Sequence, residues 1–141
     1  MQRKGSAVWN GGLKDGKGTV STESGTLKDT QYSFAARFES GAGTNPEELL
    51  AAAHAGCFSM ALSGQLGAAN LKADRIATTA TVTLEKLDSG FTITKVHLDV
   101  KAKIPGADQA AFDTAANNAK AGCPVSKLFK GAEITMSAAL E

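Results

Sequence analysis

The 141 residues carry 15 basic and 14 acidic side chains, a formal net charge of +1, and are 43% hydrophobic. A chain of that length can bury a real core, so residues 1–141 are read as a single domain. The near-neutral balance leaves no broad electrostatic footprint for nucleic acid or an anionic membrane, and small-molecule partners are expected.

The N-terminal MQRKGSAVWN has basic residues with no apolar stretch behind them, which is not the pattern of a signal peptide, and a cytoplasmic location is expected. In a reducing compartment, Cys57 and Cys123 are reactive or simply buried thiols rather than a permanent staple. Two cysteines and two histidines are too few for a convincing structural zinc site.

Ser6–Trp9 and Lys17–Ser21 read as short strands around the turn-forming Asn10-Gly11-Gly12 and Asp15-Gly16, an N-terminal hairpin. Tyr32, Phe34, Ala36 and Phe38 then alternate with Ser33, Ala35 and Arg37, the period of a half-buried strand. Arg37 would face away from the aromatics, where a solvated arginine is the ordinary reading. It is nevertheless the arginine between ordered elements nearest the next helix, and the leading candidate to stabilise a buried anion.

That next helix is the centre of the chain. Asn45 can act as N-cap, Pro46 suits the first helical position, and Glu48 completes a capping-box pattern. From Leu49 to Leu62 nearly every residue is apolar or small, which predicts a buried core helix apolar all round; the run is too short and interrupted for a membrane span. One chain has few elements with which to cover every side of it, so a partner subunit is expected.

Ile76–Lys86 alternates cleanly, Asp88-Ser89-Gly90 turns, and Phe91–Ile104 makes a second long strand whose shift of apolar phase predicts a bulge near Thr94-Lys95. Pro105-Gly106 ends it. Asp108 can cap a helix with Ala111, Phe112, Ala115, Ala116 and Ala119 as its apolar stripe. Cys123 takes an N-cap place before Pro124 and a short helix, Val125–Lys130, and an alternating strand from Ala132 to Leu140 closes the chain. The order lacks regular strand–helix alternation, so the fold class is α+β with mostly antiparallel sheets around the long central helix.

Read locally, Cys123 at a helix start is the more acidic thiol, and Cys57, mid-helix in apolar surroundings, is held protonated unless a cation comes close. That reading favours Cys123 as nucleophile. His54 lies one turn before Cys57; the spacing admits a thiol–imidazole pair or, with both cysteines, a three-ligand metal set, but a hydrogen-bonded core histidine is the preferred reading. His97 sits mid-strand and carries no signal. Leu50, Phe58, Met60 and Phe129 are candidates either for an apolar pocket or for ordinary core.

GKGTVSTESG (Gly16–Gly25), RFESGAGTNPEELLAAAHAGCFSMAL (Arg37–Leu62) and KAGCPVSKLFKGAEIT (Lys120–Thr135) closely resemble the OsmC (osmotically inducible protein C) branch of the OsmC/Ohr family, in order and across essentially the whole chain. The resemblance implies a cysteine-based peroxidase that prefers organic hydroperoxides over hydrogen peroxide, with an antioxidant role in stress response and no prosthetic group. It makes Cys57 the peroxidatic and Cys123 the resolving cysteine, joined as a Cys57–Cys123 disulfide during turnover. Arg37 and Glu47 become the pair that activates the thiol. The early loop GGLKDG, where the Ohr branch carries its arginine, offers only Lys14.

An external dithiol, a lipoyl group on a carrier protein, is the implied reductant, and an intertwined homodimer the implied assembly. Helix geometry points the same way. Glu47 and Cys57 are ten positions apart, about 15 Å of rise, too far on a straight helix to share one guanidinium within a chain. Either the helix bends or the two meet across subunits, where antiparallel packing of two copies near Ala52 would bring Glu47 of one beside Cys57 of the other. The competing reading is a redox-sensing or apolar-ligand-binding dimer without turnover.

Overall fold

The computed structural model describes residues 1–140, which divide into two compact units, Met1–Leu49 and Leu50–Glu141. In the first, strands β1 (Gly5–Asn10), β2 (Lys17–Thr22) and β3 (Thr30–Ser33) form an antiparallel sheet in that order. Gly18 sits between Trp9 and Tyr32 in the register, and those rings approach to 5.3 Å between centroids across it. A Cβ at Gly18 would lie 2.3 Å from the Tyr32 ring, so the aromatic pair requires a residue without one.

The expected strand through Phe38 stops at Ser33. Ser33 instead accepts a hydrogen bond from the Ala36 amide and caps a short helix, α1 (Phe34–Phe38), so Arg37 lies in the last turn of a helix and not on a strand face. Aromatic alternation over five residues also satisfies helical i, i+4 spacing, and the Phe34 and Phe38 rings meet tilted at 44° with centroids 4.8 Å apart. After α1 the chain folds back to β3, where Thr44 donates to the Gln31 carbonyl. The turn needs Gly43, whose φ of 118° is left-handed and whose Cβ would stand 2.6 Å from the Gln31 oxygen.

Helix α2 (Pro46–Ala68) then begins as its capping residues predict, with Glu48 N–H donating to Asn45 Oδ1 at 2.8 Å. The Glu48 carboxylate accepts from Thr44 Oγ1 rather than from the cap amide. By length and composition α2 could cross a membrane, but it packs as a core helix along one stripe: His54, Phe58, Leu62 and Leu66 are buried. The other faces are not covered in the single chain, where Ala52, Ala53 and Gly56 are exposed and Met60 is 79% exposed.

In the second unit β4 (Arg75–Leu87) and β5 (Gly90–Lys103) pair antiparallel, with Thr83 opposite Lys95 and Leu84 opposite Ile93. Thr94 is therefore the extra residue of the predicted bulge. Helix α3 (Gln109–Gly122) carries its cap, with Asp108 accepting from the Ala111 amide at 2.7 Å, and α4 runs from Pro124 to Leu128. The last strand, β6 (Glu133–Leu140), does not continue a meander: it pairs with β5 in parallel, because α3 and α4 carry the chain back to the end at which β5 began.

The core of this unit joins Phe58, Leu62 and Leu66 of α2 to Leu98, Val100 and Ala102 of β5 and to Phe112, Ala116 and Ala119 of α3. Each large side chain sealed here contributes about 1.5–3 kcal/mol. Phe58 belongs to this core and Met60 does not, so the two do not line one pocket.

Candidate active site

The second unit brings both thiols together. Cys57, in the middle of α2, and Cys123, at the junction of α3 and α4, place their sulfurs 2.6 Å apart although 66 positions separate them. Both are free thiols, Cys57 partly and Cys123 fully buried. Sulfurs this close are within reach of a disulfide with little backbone movement.

Their environments differ in the way the local sequence predicts. Burial pushes the Cys57 thiol up, its hydrogen bond to Cys123 pushes the same way, the Val125 amide opposes, and charge on Cys123 adds to the rise. For Cys123 burial also acts upward. It is outweighed by the Cys57 thiol, the Ser126 amide, the Ser126 hydroxyl and the Val125 amide, all of which favour the anion, and the net shift is downward. Cys123 makes no formal side-chain cap bond, yet the first amides of α4 stabilise its charge.

His54 does not pair with Cys57. Its Nε2 lies 2.8 Å from Ser126 Oγ, both residues are buried, its ring rests on Phe129 at 5.4 Å, and burial lowers its tendency to protonate. This is the hydrogen-bonded core histidine of the preferred reading, and no group of three metal-ligating side chains forms among the described residues. Ser126 is the residue that sequence reasoning passed over. Its signal was its place three after Cys123 in CPVS, in the first turn of the helix that Cys123 caps.

The first unit holds the other candidate pair. Arg37 donates through Nε to Glu47 Oε1 and Oε2 at 3.1 and 3.2 Å and through Nη2 to Oε1 at 2.7 Å, a two-point grip between α1 and the first turn of α2. The arginine side chain is 37% exposed and that of the glutamate 15%, so the pair adds little to stability and its consequence is a fixed guanidinium orientation. Asn45 Nδ2 ties α2 to the Ala36 carbonyl and holds the two elements in register.

Beside Arg37 opens a cavity of about 270 Å³ lined by Trp9, Leu13, Tyr32, Phe34 and Phe38. An apolar cleft with one cation in its wall suits a ligand with a hydrocarbon body and one polar oxygen end. Trp9, Tyr32, Phe34 and Phe38 are the aromatics that line the cavity with the guanidinium. Arg37 Cζ stands 5.1 Å above the Phe38 ring, which helps to hold it. His97 bonds Thr135 across β5 and β6, and Lys14 is exposed in the β1–β2 turn.

Residues 39–137 match the family model described as OsmC-like protein, a match that includes residues of both units. Peroxiredoxin OsmC of Escherichia coli (strain K12) is 55% identical over 136 residues, covering 96% of this chain and 94% of the relative. Among solved structures, the organic hydroperoxide resistance protein OhrB of Bacillus subtilis superposes with a TM-score of 0.75 at 29% identity, covering 96% of this chain and 97% of that one. An OsmC-like protein from Mycoplasma pneumoniae reaches 0.78 over 99% and 97% at 15% identity, a likeness of fold alone.

Proposed function

This chain belongs to the OsmC-like protein family, and on that premise we propose that it is a thiol-dependent peroxidase that reduces organic hydroperoxides to alcohols without a prosthetic group. The observation that carries the reading is the 2.6 Å approach of Cys57 to Cys123. A peroxidase that cycles through a disulfide needs a second thiol waiting at the first.

In this reading the Cys57 thiolate attacks the distal oxygen of the hydroperoxide. The O–O bond breaks, an alcohol leaves, and Cys57 becomes a sulfenic acid. Cys123 then displaces hydroxide from that sulfur, the hydroxide leaves as water after taking up a proton, and the Cys57–Cys123 disulfide forms. An external dithiol reduces it, a lipoyl group being the one implied by family resemblance. Such a cycle needs a reducing compartment, which supports a cytoplasmic location.

Burial opposes ionisation of Cys57, so a cation is required, and Arg37, oriented by Glu47, is its proposed source. The rise of α2 between Glu47 and Cys57 supports a donor from a second copy, and the uncovered small-residue face around Ala52, Ala53 and Gly56 supports close packing of two α2 helices. A homodimer with two composite sites follows. A monomer in sedimentation at micromolar concentration, with activity intact, would remove the composite site.

The test of function is consumption of cumene hydroperoxide by the reduced protein with a renewable dithiol. Many molecules consumed per protein are expected. Oxidation that stops after one equivalent, with dithiol still present, would mark a sensor instead.

A further inference from the structure

The buried His54–Ser126 contact is not used by the cycle as proposed, and its polar atoms are unusually constrained. His54 is fully buried, and its Nδ1 has no hydrogen-bond partner. Of the two neutral tautomers, one leaves a bare nitrogen lone pair at Nδ1 and the other leaves a buried N–H with nothing to accept it. Orphaned buried N–H groups are the rarer and costlier of the two. With the proton on Nε2, Nε2–H donates to Ser126 Oγ across the 2.8 Å contact and Nδ1 keeps a lone pair.

A serine hydroxyl has one proton. With its oxygen accepting from His54, that proton is free to point elsewhere, and the buried Cys123 stands at the N-cap of α4 with Ser126 in the first turn of the same helix; a Ser126 hydrogen bond is among the causes that favour its anion. Resting on the peroxidase reading, we propose that His54 and Ser126 are a positioning pair for the resolving step: the imidazole holds the hydroxyl so that its proton is aimed at the sulfur of Cys123.

The chemistry says when this matters. In the reduced protein the Cys123 S–H donates to Cys57 across the 2.6 Å contact. Once Cys57 has become a sulfenic acid Cys123 must give up that proton, and the Ser126 hydroxyl with the first amides of α4 then holds its thiolate. Its electron pair then forms the S–S bond, the S–O bond of Cys57 breaks, and the departing hydroxide takes up the proton that Cys123 had released.

The experiment uses the full-length reduced protein, pulsed with cumene hydroperoxide and acid-quenched at short times, with sulfenic acid and disulfide counted by mass spectrometry. The readout is the rate of disulfide closure relative to that of Cys57 oxidation within each variant. Ser126→Ala and His54→Leu are expected to lower this ratio about tenfold, the size of one hydrogen bond to a charged group. Ser126→Thr, which keeps the hydroxyl, and His54→Gln, which keeps an N–H near the Nε2 position, are expected to recover most of it. Nitrogen-15 spectra of the His54 ring in unsubstituted protein should show Nε2 protonated and Nδ1 bare.

A ratio unchanged in Ser126→Ala, no recovery in the conservative variants, or a proton on Nδ1 would each overturn the pair. Failure of the peroxidase reading looks different: Cys57 of the unsubstituted protein would then form no sulfenic acid at all, whatever the ring tautomer.

Discussion

Cys57→Ser is expected to abolish hydroperoxide turnover, by at least about a thousandfold, while Cys123→Ser still consumes one equivalent and stops with a sulfenic acid on Cys57. The asymmetry follows from the two steps. Only the first sulfur meets the peroxide, and a serine hydroxyl at that place is far too weak a nucleophile to replace a thiolate. The second sulfur acts only on the oxidised first, so its loss blocks closure and leaves oxidation intact. Mass spectrometry after a brief pulse reads both outcomes, because a trapped sulfenic acid and a disulfide differ in mass and in reaction with dimedone. The reverse pattern, with Cys57→Ser accumulating a sulfenic acid on Cys123, would exchange the roles. It would also agree with the local ordering of the thiols, in which Cys123 is the more acidic.

The second large effect is expected at Arg37. Burial and the Cys123 hydrogen bond both raise Cys57, so without a cation its thiolate is a minor species at neutral pH. Arg37→Met should slow Cys57 oxidation about a hundredfold at neutral pH, a loss comparable to removing one preorganised charge-stabilising donor. The sign of the pH dependence is part of the prediction. A raised thiol ionises only as pH climbs past the ordinary cysteine range, so the Arg37→Met rate should keep rising there while the unsubstituted protein has levelled off at lower pH.

The first thiol to ionise should also change from Cys57 to Cys123 in that variant, visible as thiolate absorbance that survives Cys57→Ala. Arg37→Lys keeps the charge but loses the fork that grips both Glu47 oxygens, and should fall between the two. Glu47→Gln should cost less, about tenfold, because the guanidinium remains and loses only part of its orientation. An Arg37→Met protein with the rate and pH profile of the parent would remove Arg37 from the site.

How much of this was readable beforehand depended on range. The start of α2 was, because Asn45, Pro46 and Glu48 act on one another within four residues. So were α3, through Asp108, and the bulge at Thr94, through a slip in alternation. The segment after Ser33 was misread because Phe34, Ala36 and Phe38 satisfy a period of two and, at Phe34 and Phe38, helical spacing as well. One hydroxyl on one amide decided between them. The parallel seating of β6 on β5 has no local signal at all.

The site divides in the same manner. Which residue types are present, two thiols in motifs of a thiol-peroxidase family and an arginine and a glutamate beside the helix start, belongs to the chain by itself, as do the caps and periodicities that make its helices and strands. Only the folded molecule decides that His54 meets Ser126 from 72 positions away, that Trp9 and Tyr32 wall the cleft at Arg37, and that one thiol is pushed up while its neighbour is held down. Propensity and capping act over a few bonds, whereas hydrogen bonding and ionisation depend on distance and burial, and those are set by residues far apart in the chain.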